Sequence, residues 1–524
     1  MKKYEMIEIQ TNIEKIYKEV FGIPDIAEDT NFFEIGGNSI LAAKVVQKIK
    51  TCLGINLAIQ DIFEYVTVNL LISYIAKIYN EKTKMEEERY CNEETKEAFE
   101  LTEIQKAYLI GRQGITGEGK VASHYYVELE CETVDILRLE EAWNVVVVRQ
   151  PALRTIIDVK AMKQKILTRV QDYKIELLDF EEDLKGFYEL RRDMEDQVLD
   201  ISRWPVFDIR VSKLKDKFRI HVSMDNMILD GTAICAVLDE WNKLYKGEVL
   251  KSDIGKKTFK DYVNYLKTLE LSSEYSMAQE YWNKKIVNMP PRPELPLLNK
   301  NVNGEFYRLS TVLQKEKWNV LKMLSAKYGI TPSNVLLTSF SEVLYRWGKE
   351  NKFTINLTIN KKALLDSGYA KVLGEFTDTI LVEVNAGKKR NFIEKCKSIQ
   401  NELLNNLKYS SYNGVAVQRD WTKEHGFLMG TAFPIVFTSL LGTADLLDMP
   451  GKISYGLTQT PQVWLDYQVS EIAGKLYLNW DVLRGKYDDG VIAQMFSCYL
   501  DSLEKMTDRR LGDSTKKPYR KFSE

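Results

Sequence analysis

The sequence predicts an α+β protein, with a small helical bundle at the N-terminus followed by two larger α/β lobes. Three observations carry this. Apolar residues recur at helical spacing through residues 1–80. A nearly all-polar stretch, 81–97, then interrupts them. From Leu101 onward, strand-like and helix-like segments alternate irregularly for about four hundred residues. The domain limits expected are 1–80 for the bundle, 81–97 for a solvated linker, 98–275 and 276–510 for the two lobes, and 511–524 for a C-terminal tail.

Within the bundle, Ile7, Ile13, Ile16, Val20 and Phe21 mark a first helix. A loop rich in Asp, Asn and Gly follows. A second helix starts at Ser39, with Ile40, Leu41, Val45, Val46 and Ile49 on its apolar side, and Ile59–Ile78 supplies one or two more. Beyond the linker, Tyr125–Glu130 and Phe218–Met224 read as strands. Val134–Val148, Thr232–Tyr245 and Ser333–Trp347 read as helices. Residues 286–298 hold four prolines and cannot be helical, so they read as a crossing between the lobes.

Composition excludes several function classes. A length of 524 residues implies more than one compact unit. A net charge of −2 offers no strong attraction to nucleic acid. No run of eighteen apolar residues suggests a membrane span, and the N-terminus has no apolar segment of a secretory signal. Six scattered cysteines without Cys-x-x-Cys spacing read as buried hydrophobes in a reducing cytoplasm, with no metal site expected. With three histidines in the chain, His124, His221 and His425, imidazole-based proton transfer has few candidates.

Two stretches carry chemistry. In Phe32-Phe33-Glu34-Ile35-Gly36-Gly37-Asn38-Ser39-Ile40, two glycines permit a tight turn and Ser39 falls at a helix start, where a phosphate is also favoured. In His221-Val-Ser-Met-Asp225-Asn226-Met-Ile-Leu-Asp230-Gly231, two carboxylates sit five positions apart between a strand and a helix. One reading of these two is structural, each paired with an arginine across the lobe junction, with Arg112 or Arg154 as partners.

The first stretch, with Asp29-Thr30-Asn31 before it, resembles a peptidyl carrier protein of non-ribosomal peptide synthetases. The resemblance implies 4′-phosphopantetheine esterified to Ser39 by a phosphopantetheinyl transferase. The remainder resembles the heterocyclization branch of the condensation-domain superfamily. Leu101–Arg112, Arg149–Arg154, Asp225-x-x-x-x-Asp230, Pro293–Leu297, Gly374-Glu-Phe-Thr377, Phe433–Ser439, Gln459–Gln468 and Asn479-Trp-Asp481 follow the family's motifs in order. Gln150 departs from the family's usual His, and Asn360-Lys361-Lys362 from its Phe-Asn-Arg ending. Aligning Asp230-Gly231 with the Asp-Gly of ordinary condensation domains puts Asp225 and Asn226 where those enzymes have histidines.

The resemblance implies two chloramphenicol-acetyltransferase-like lobes in a V around a tunnel. It places Asp225 and Asp230 at the junction and assigns cyclodehydration to Thr438 and Asp466, with Gln468 and Gln459 placed to position them. Asn356, Asn360 and Trp464 are candidate tunnel residues, Trp464 with packing as its first reading. The implied reaction joins a carrier-bound donor to Cys, Ser or Thr on a downstream aminoacyl carrier and closes a thiazoline or oxazoline, chemistry of antibiotic and siderophore biosynthesis. Nothing resembles an adenylation domain, so activation is expected on another polypeptide or on a part removed from this fragment. The rival readings are a condensation-only enzyme that stops at the amide, and a non-catalytic carrier-docking module.

Overall fold

The computed structural model describes residues 3–27, 29–37, 39–53, 55, 57–78, 97–114, 119–250, 257–298, 302–348, 350–387, 390–427, 430–442 and 451–508. The expected linker, apart from residue 97, and the expected tail lie outside them. The chain divides into two units, Met1–Thr95 with Lys246–Lys251, and Lys96–Tyr245 with Ser252–Glu524.

The first unit is built on helices Lys3–Phe21, Ser39–Leu53, Ile59–Glu64 and 68–78. Ile13, Ile16 and Tyr17 from the first helix meet Val45 and Ile49 from the second and Leu71 and Ile75 from the last. Phe32 plugs this core from the loop, edge-on to Tyr17 and Phe21. A Cβ on Gly37 would lie 2.3 Å from the Phe32 carbonyl oxygen, so the turn before Ser39 closes tightly only with glycine there.

In the second unit, a five-stranded sheet has the spatial order Lys452–Gln459, His124–Cys131, Lys217–Asp225, Phe207–Leu214, Glu176–Asp179. Val127, Leu129, Ile220, Val222, Ile209 and Val211 pack with helices Ile136–Arg149 and Gly231–Tyr245 in one core. A six-stranded sheet has the order Thr377–Asn385, Lys352–Asn360, Ile435–Ser439, Leu465–Ile472, Lys475–Leu483, Phe306–Leu313. Its core face is covered by helices that include Pro332–Trp347 and Asp489–Asp508. A three-stranded sheet, Phe99–Glu100, Lys163–Ile166 and Thr155–Asp158, completes the set. The α+β expectation holds.

Three features depart from the sequence reading. Helix Ser273–Ile286 runs unbroken through 275/276, and its Ala278, Trp282 and Ile286 already belong to the second lobe's core. Residues 287–298 are irregular as expected, but Met289 and Leu295 are buried in that same core, so the proline-rich segment lies within the second lobe and does not cross between lobes. The transition falls upstream, at helix Phe259–Glu270. Its Phe259, Tyr262 and Val263 pack with Phe99 and Ile166 on one side of the sequence and Tyr369, Val372 and Phe376 on the other. Finally, Lys452–Gln459 leaves the C-terminal half and adds as an edge strand to the first lobe's sheet, antiparallel to His124–Cys131.

Candidate active site

Strand alternation builds the site. Leu465, Tyr467 and Val469 point into the second lobe's core, which puts Asp466 and Gln468 on the opposite face. The same alternation holds in the neighbouring strands. Leu357, Phe437, Tyr467 and Trp480 form one cross-strand row in the core. The next row, on the other face, reads Asn356, Val436, Asp466, Asp481, Arg308. Beyond it come Thr438, Gln468, Asn479 and Ser310. A largely polar face on a sheet with a continuous apolar reverse is the layout of a site laid on a rigid scaffold.

Thr438 Oγ1 donates to Asp466 Oδ1 at 2.9 Å, and Gln468 Nε2 donates to Asp466 Oδ2 at 2.6 Å. Four residues close a ring behind this pair. Arg308 donates to Gln468 Oε1 at 3.2 Å and forks onto Asp481 at 2.6 and 2.5 Å. Gln468 Nε2 also donates to Thr458 Oγ1, and Thr458 Oγ1 donates to Asp481 Oδ2 at 2.6 Å. The guanidinium can only donate, so the Gln468 oxygen faces it and the NH2 faces Asp466 and Thr458.

Burial pushes the Asp466 carboxyl up to about 7, with the Asp481 charge adding to the rise. The hydrogen bonds from Gln468 and Thr438 and the charge of Arg308 oppose it. Such a carboxyl takes up and returns a proton near neutral pH. The geometry also selects the oxygen. An amide NH2 cannot accept, whereas a hydroxyl can both donate and accept. When Asp466 is protonated, its proton therefore sits on Oδ1, and the Thr438 hydroxyl turns from donor to acceptor.

The other predicted residues are spread more widely. Asp225 is fully buried and paired with Arg112 of its own lobe, and it accepts from the Met227 N–H at 3.0 Å. Among the described residues, Asp230 has no arginine partner. Its Oδ1 caps helix Gly231–Tyr245 through the Ala233 N–H at 2.7 Å, and its Oδ2 accepts from the Phe376 N–H at 3.1 Å and Asn360 Nδ2 at 3.3 Å. The junction is thus pinned by hydrogen bonds to Asp230, and the expected cross-junction arginine pair is replaced. Arg154 donates to the Val147 and Leu167 carbonyls instead.

Gln459 donates to Asp196 at 2.9 Å, so it is Gln468 that holds Asp466. Trp464 packs in the core with cations on its ring, Arg292 at 4.7 Å and Lys486 at 4.0 Å, which is its packing reading. Asn226 donates its backbone N–H to the Ser123 carbonyl. Its Oδ1 and that of Asn356 are buried without a hydrogen-bond partner among the described residues. Ser39 opens its helix in the separate first unit.

Sequence reasoning missed Arg308, Thr458 and Asp481 as members of the network. A signal for Asp481 existed. Ala473 and Gly474, both at positive φ, form the hairpin turn, and Ile472 opposite Lys475 sets a register that puts Asp466 opposite Asp481.

A family model described as the condensation domain matches residues 95–512. The chain belongs to the condensation-domain family. A second model, the phosphopantetheine attachment site, matches residues 12–75. A carrier domain thus precedes the condensation domain, and a serine of the carrier takes 4′-phosphopantetheine. That span holds Ser39 and Ser73. Ser73 lies inside helix 68–78, whereas Ser39 opens a helix directly after the Gly36-Gly37 turn, the position that fits a phosphoester.

Relatives agree on the setting. The chain is 30% identical over 519 residues to bacitracin synthase 1 of Bacillus licheniformis, covering 95% of this chain and 10% of that protein. It is 29% identical over 420 residues to pyochelin synthetase PchF of Pseudomonas aeruginosa, covering 78% of this chain and 23% of that one. It is 28% identical over 429 residues to phenyloxazoline synthase MbtB of Mycobacterium tuberculosis, covering 78% and 30%. The chain therefore spans between about a tenth and a third of these curated relatives. Among solved structures, the EpoB cyclization-docking bidomain of Sorangium cellulosum superposes with a TM-score of 0.73 at 26% identity, covering 84% of this chain and 92% of that one.

Proposed function

We propose that the condensation domain is a heterocyclization domain within a non-ribosomal peptide synthetase. It joins a donor carried on Ser39 to Cys, Ser or Thr on a downstream carrier, then cyclodehydrates the amide to a thiazoline or oxazoline. The observation that carries the reading is Asp466, held between Thr438 and Gln468 with its carboxyl at about 7. Amide formation also moves a proton from the amine, but the thiolate it displaces can leave without first being protonated. Ring closure expels the carbonyl oxygen, which leaves only as water and so must be given protons as it departs. The thiol or hydroxyl proton ends on the carbonyl oxygen as the carbinol forms, and the carbinol oxygen takes a second proton as it leaves as water, while the ring nitrogen loses its N–H proton to form the C=N bond. Asp466 Oδ1 takes each of these protons in turn and hands it to that oxygen, and the Thr438 hydroxyl orients or relays it.

The phosphopantetheine arm supplies the thiol that carries the donor as a thioester. The chain's own contribution at that end is the helix start at Ser39, directly after the Gly36-Gly37 turn. The names of the relatives support the reading, since one is a phenyloxazoline synthase and the EpoB fragment is a cyclization domain. Adenylation and the acceptor carrier are assigned to other parts of the assembly, and cysteine is the default acceptor because a thiol is the better nucleophile at neutral pH.

The test is intact-mass analysis of the downstream carrier after reaction with cysteine as acceptor. A product one water lighter than the amide supports heterocyclization; the amide mass alone overturns it. Asp466→Asn keeps the shape and both hydrogen bonds but cannot exchange a proton. It is expected to form amide while slowing water loss on the order of 100- to 10,000-fold.

A further inference from the structure

The Gln468 amide is gripped from both ends, and one grip comes from the other lobe's sheet. Strand Lys452–Gln459 pairs with His124–Cys131 along its length, with Thr458 opposite Tyr125 and Gln459 opposite His124. As an edge strand it has N–H groups that turn away from its partner and need another acceptor. At Thr458 that acceptor is Asp481 Oδ2, at 3.1 Å. The Thr458 hydroxyl donates to the same oxygen and accepts from Gln468. Thr458 thus stands where the first lobe's sheet meets the proton-transfer network of the second. Further anchors hold the strand in the first lobe: Tyr455 donates to Glu195 at 2.8 Å, the Arg191 guanidinium lies 4.5 Å from the Tyr455 ring centroid, and Gln459 holds Asp196.

We propose that Thr458 is a positioning residue for cyclodehydration, holding the Gln468 amide so that Asp466 exchanges its proton through Oδ1 alone, and making the site complete only when strand Lys452–Gln459 is seated in the first lobe's sheet. This rests on the heterocyclization reading. Without the hydroxyl, Gln468 keeps one anchor, Arg308, and its NH2 is free to swing from Oδ2. Asp481 loses a donor as well. The acid–base pair then survives in composition but not in register, and a misplacement near an ångström is enough to cost a proton-transfer step dearly. The hydrogen bond from Gln468 favours the ionised carboxyl, so loosening it moves the Asp466 titration upward.

The experiment uses the full chain with Ser39 loaded, a separate downstream carrier bearing cysteine, and single-turnover quenching from pH 6 to 9. Amide and azoline are quantified separately by intact mass. Thr458→Val removes the hydroxyl at nearly constant volume, and Thr458→Ser keeps it. The expected result for Thr458→Val is amide formation close to wild type and water loss slowed on the order of ten- to a hundredfold, with its pH midpoint moved up. Thr458→Ser is expected to restore both. Amide formation by the same molecules is the internal control for folding. Wild-type water loss in Thr458→Val with an unmoved pH profile overturns the proposal, as does equal loss of amide and azoline, or a Thr458→Ser variant as slow as the valine one. A wild-type chain that yields only amide overturns the heterocyclization reading itself, and this inference with it.

Discussion

A carboxyl buried beside a second carboxylate costs the folded state free energy whenever it is ionised. Asp466 is such a group, since its pKa of about 7 is set by burial and by Asp481. The folded state therefore holds a proton that the unfolded chain has already released between about pH 4 and pH 7. Stability falls as pH rises through that window, by on the order of 4 kcal/mol once the group is fully ionised. The variant that abolishes proton exchange should remove this cost. Asp466→Asn is expected to raise Tm over wild type at pH 8, with the gap much reduced at pH 5 and closed only below about pH 4, as read by scanning calorimetry across that range. A Tm gap independent of pH would mean that the carboxyl is not held protonated. Glu375 is poised in the same direction. Burial and the Asp230 charge push it well above the usual carboxylate range, and its Oε2 has no partner among the described residues. Burial pushes Asp225 upward too, but there the paired Arg112 guanidinium opposes the rise. Removing one partner would cost about 3–5 kcal/mol, far more than removing both.

At the scale of elements, close backbone approaches set where lobes meet. Helix Glu103–Arg112 passes the turn before Trp464 so tightly that a Cβ on Gly111 would lie 1.9 Å from the Pro461 Cβ. Gly111→Ala must displace the helix or the turn, and overpacking of this kind costs about 1–3 kcal/mol. Tm is expected to fall by a few degrees. Gly231→Ala is the control, because its Cβ meets nothing nearer than Leu440 at 3.9 Å, and it should leave Tm unchanged or slightly raised. An unchanged Tm in Gly111→Ala would show the two elements free to separate. Elements also differ in how far the sequence disclosed them. The predicted helices and strands were legible because each carries its own period, as in Ile234, Val237, Leu238 and Trp241 of the helix over Thr232–Tyr245. Thr438 and Asp466 could be named together from motif order, and parallel pairing of their strands then supplied the contact. The edge strand could not be read this way. Its partner lies far back in the chain, with Ser454 bonded to Glu128 across 326 residues, and no local pattern encodes such a pairing. Arg308 was hidden for the same reason, since its bond to Asp481 spans 173 residues.

For the whole molecule, the separation of cores decides what can be tested in isolation. The first unit's core draws on residues between Ile9 and Ala76, and the clusters of the second unit begin at Phe99. Among the described residues no core residue is shared, so loss of the arm should leave the condensation domain's packing and its proton-transfer network intact. Ser39→Ala removes the oxygen that would be phosphopantetheinylated. With a phosphopantetheinyl transferase and coenzyme A, this variant should show no mass gain where the wild-type chain gains one arm. It should then yield no product from its own carrier. Supplied with a donor on a separate carrier domain, the same variant should transfer, cyclise and release water at a rate limited by carrier encounter, and so rise with the concentration of that carrier. Full loading of Ser39→Ala would move the attachment site to another serine. A variant that stays unloaded and also fails with donor in trans would show that the condensation domain accepts its donor only from the carrier it is joined to, and that the two units act as one catalytic device despite their separate cores.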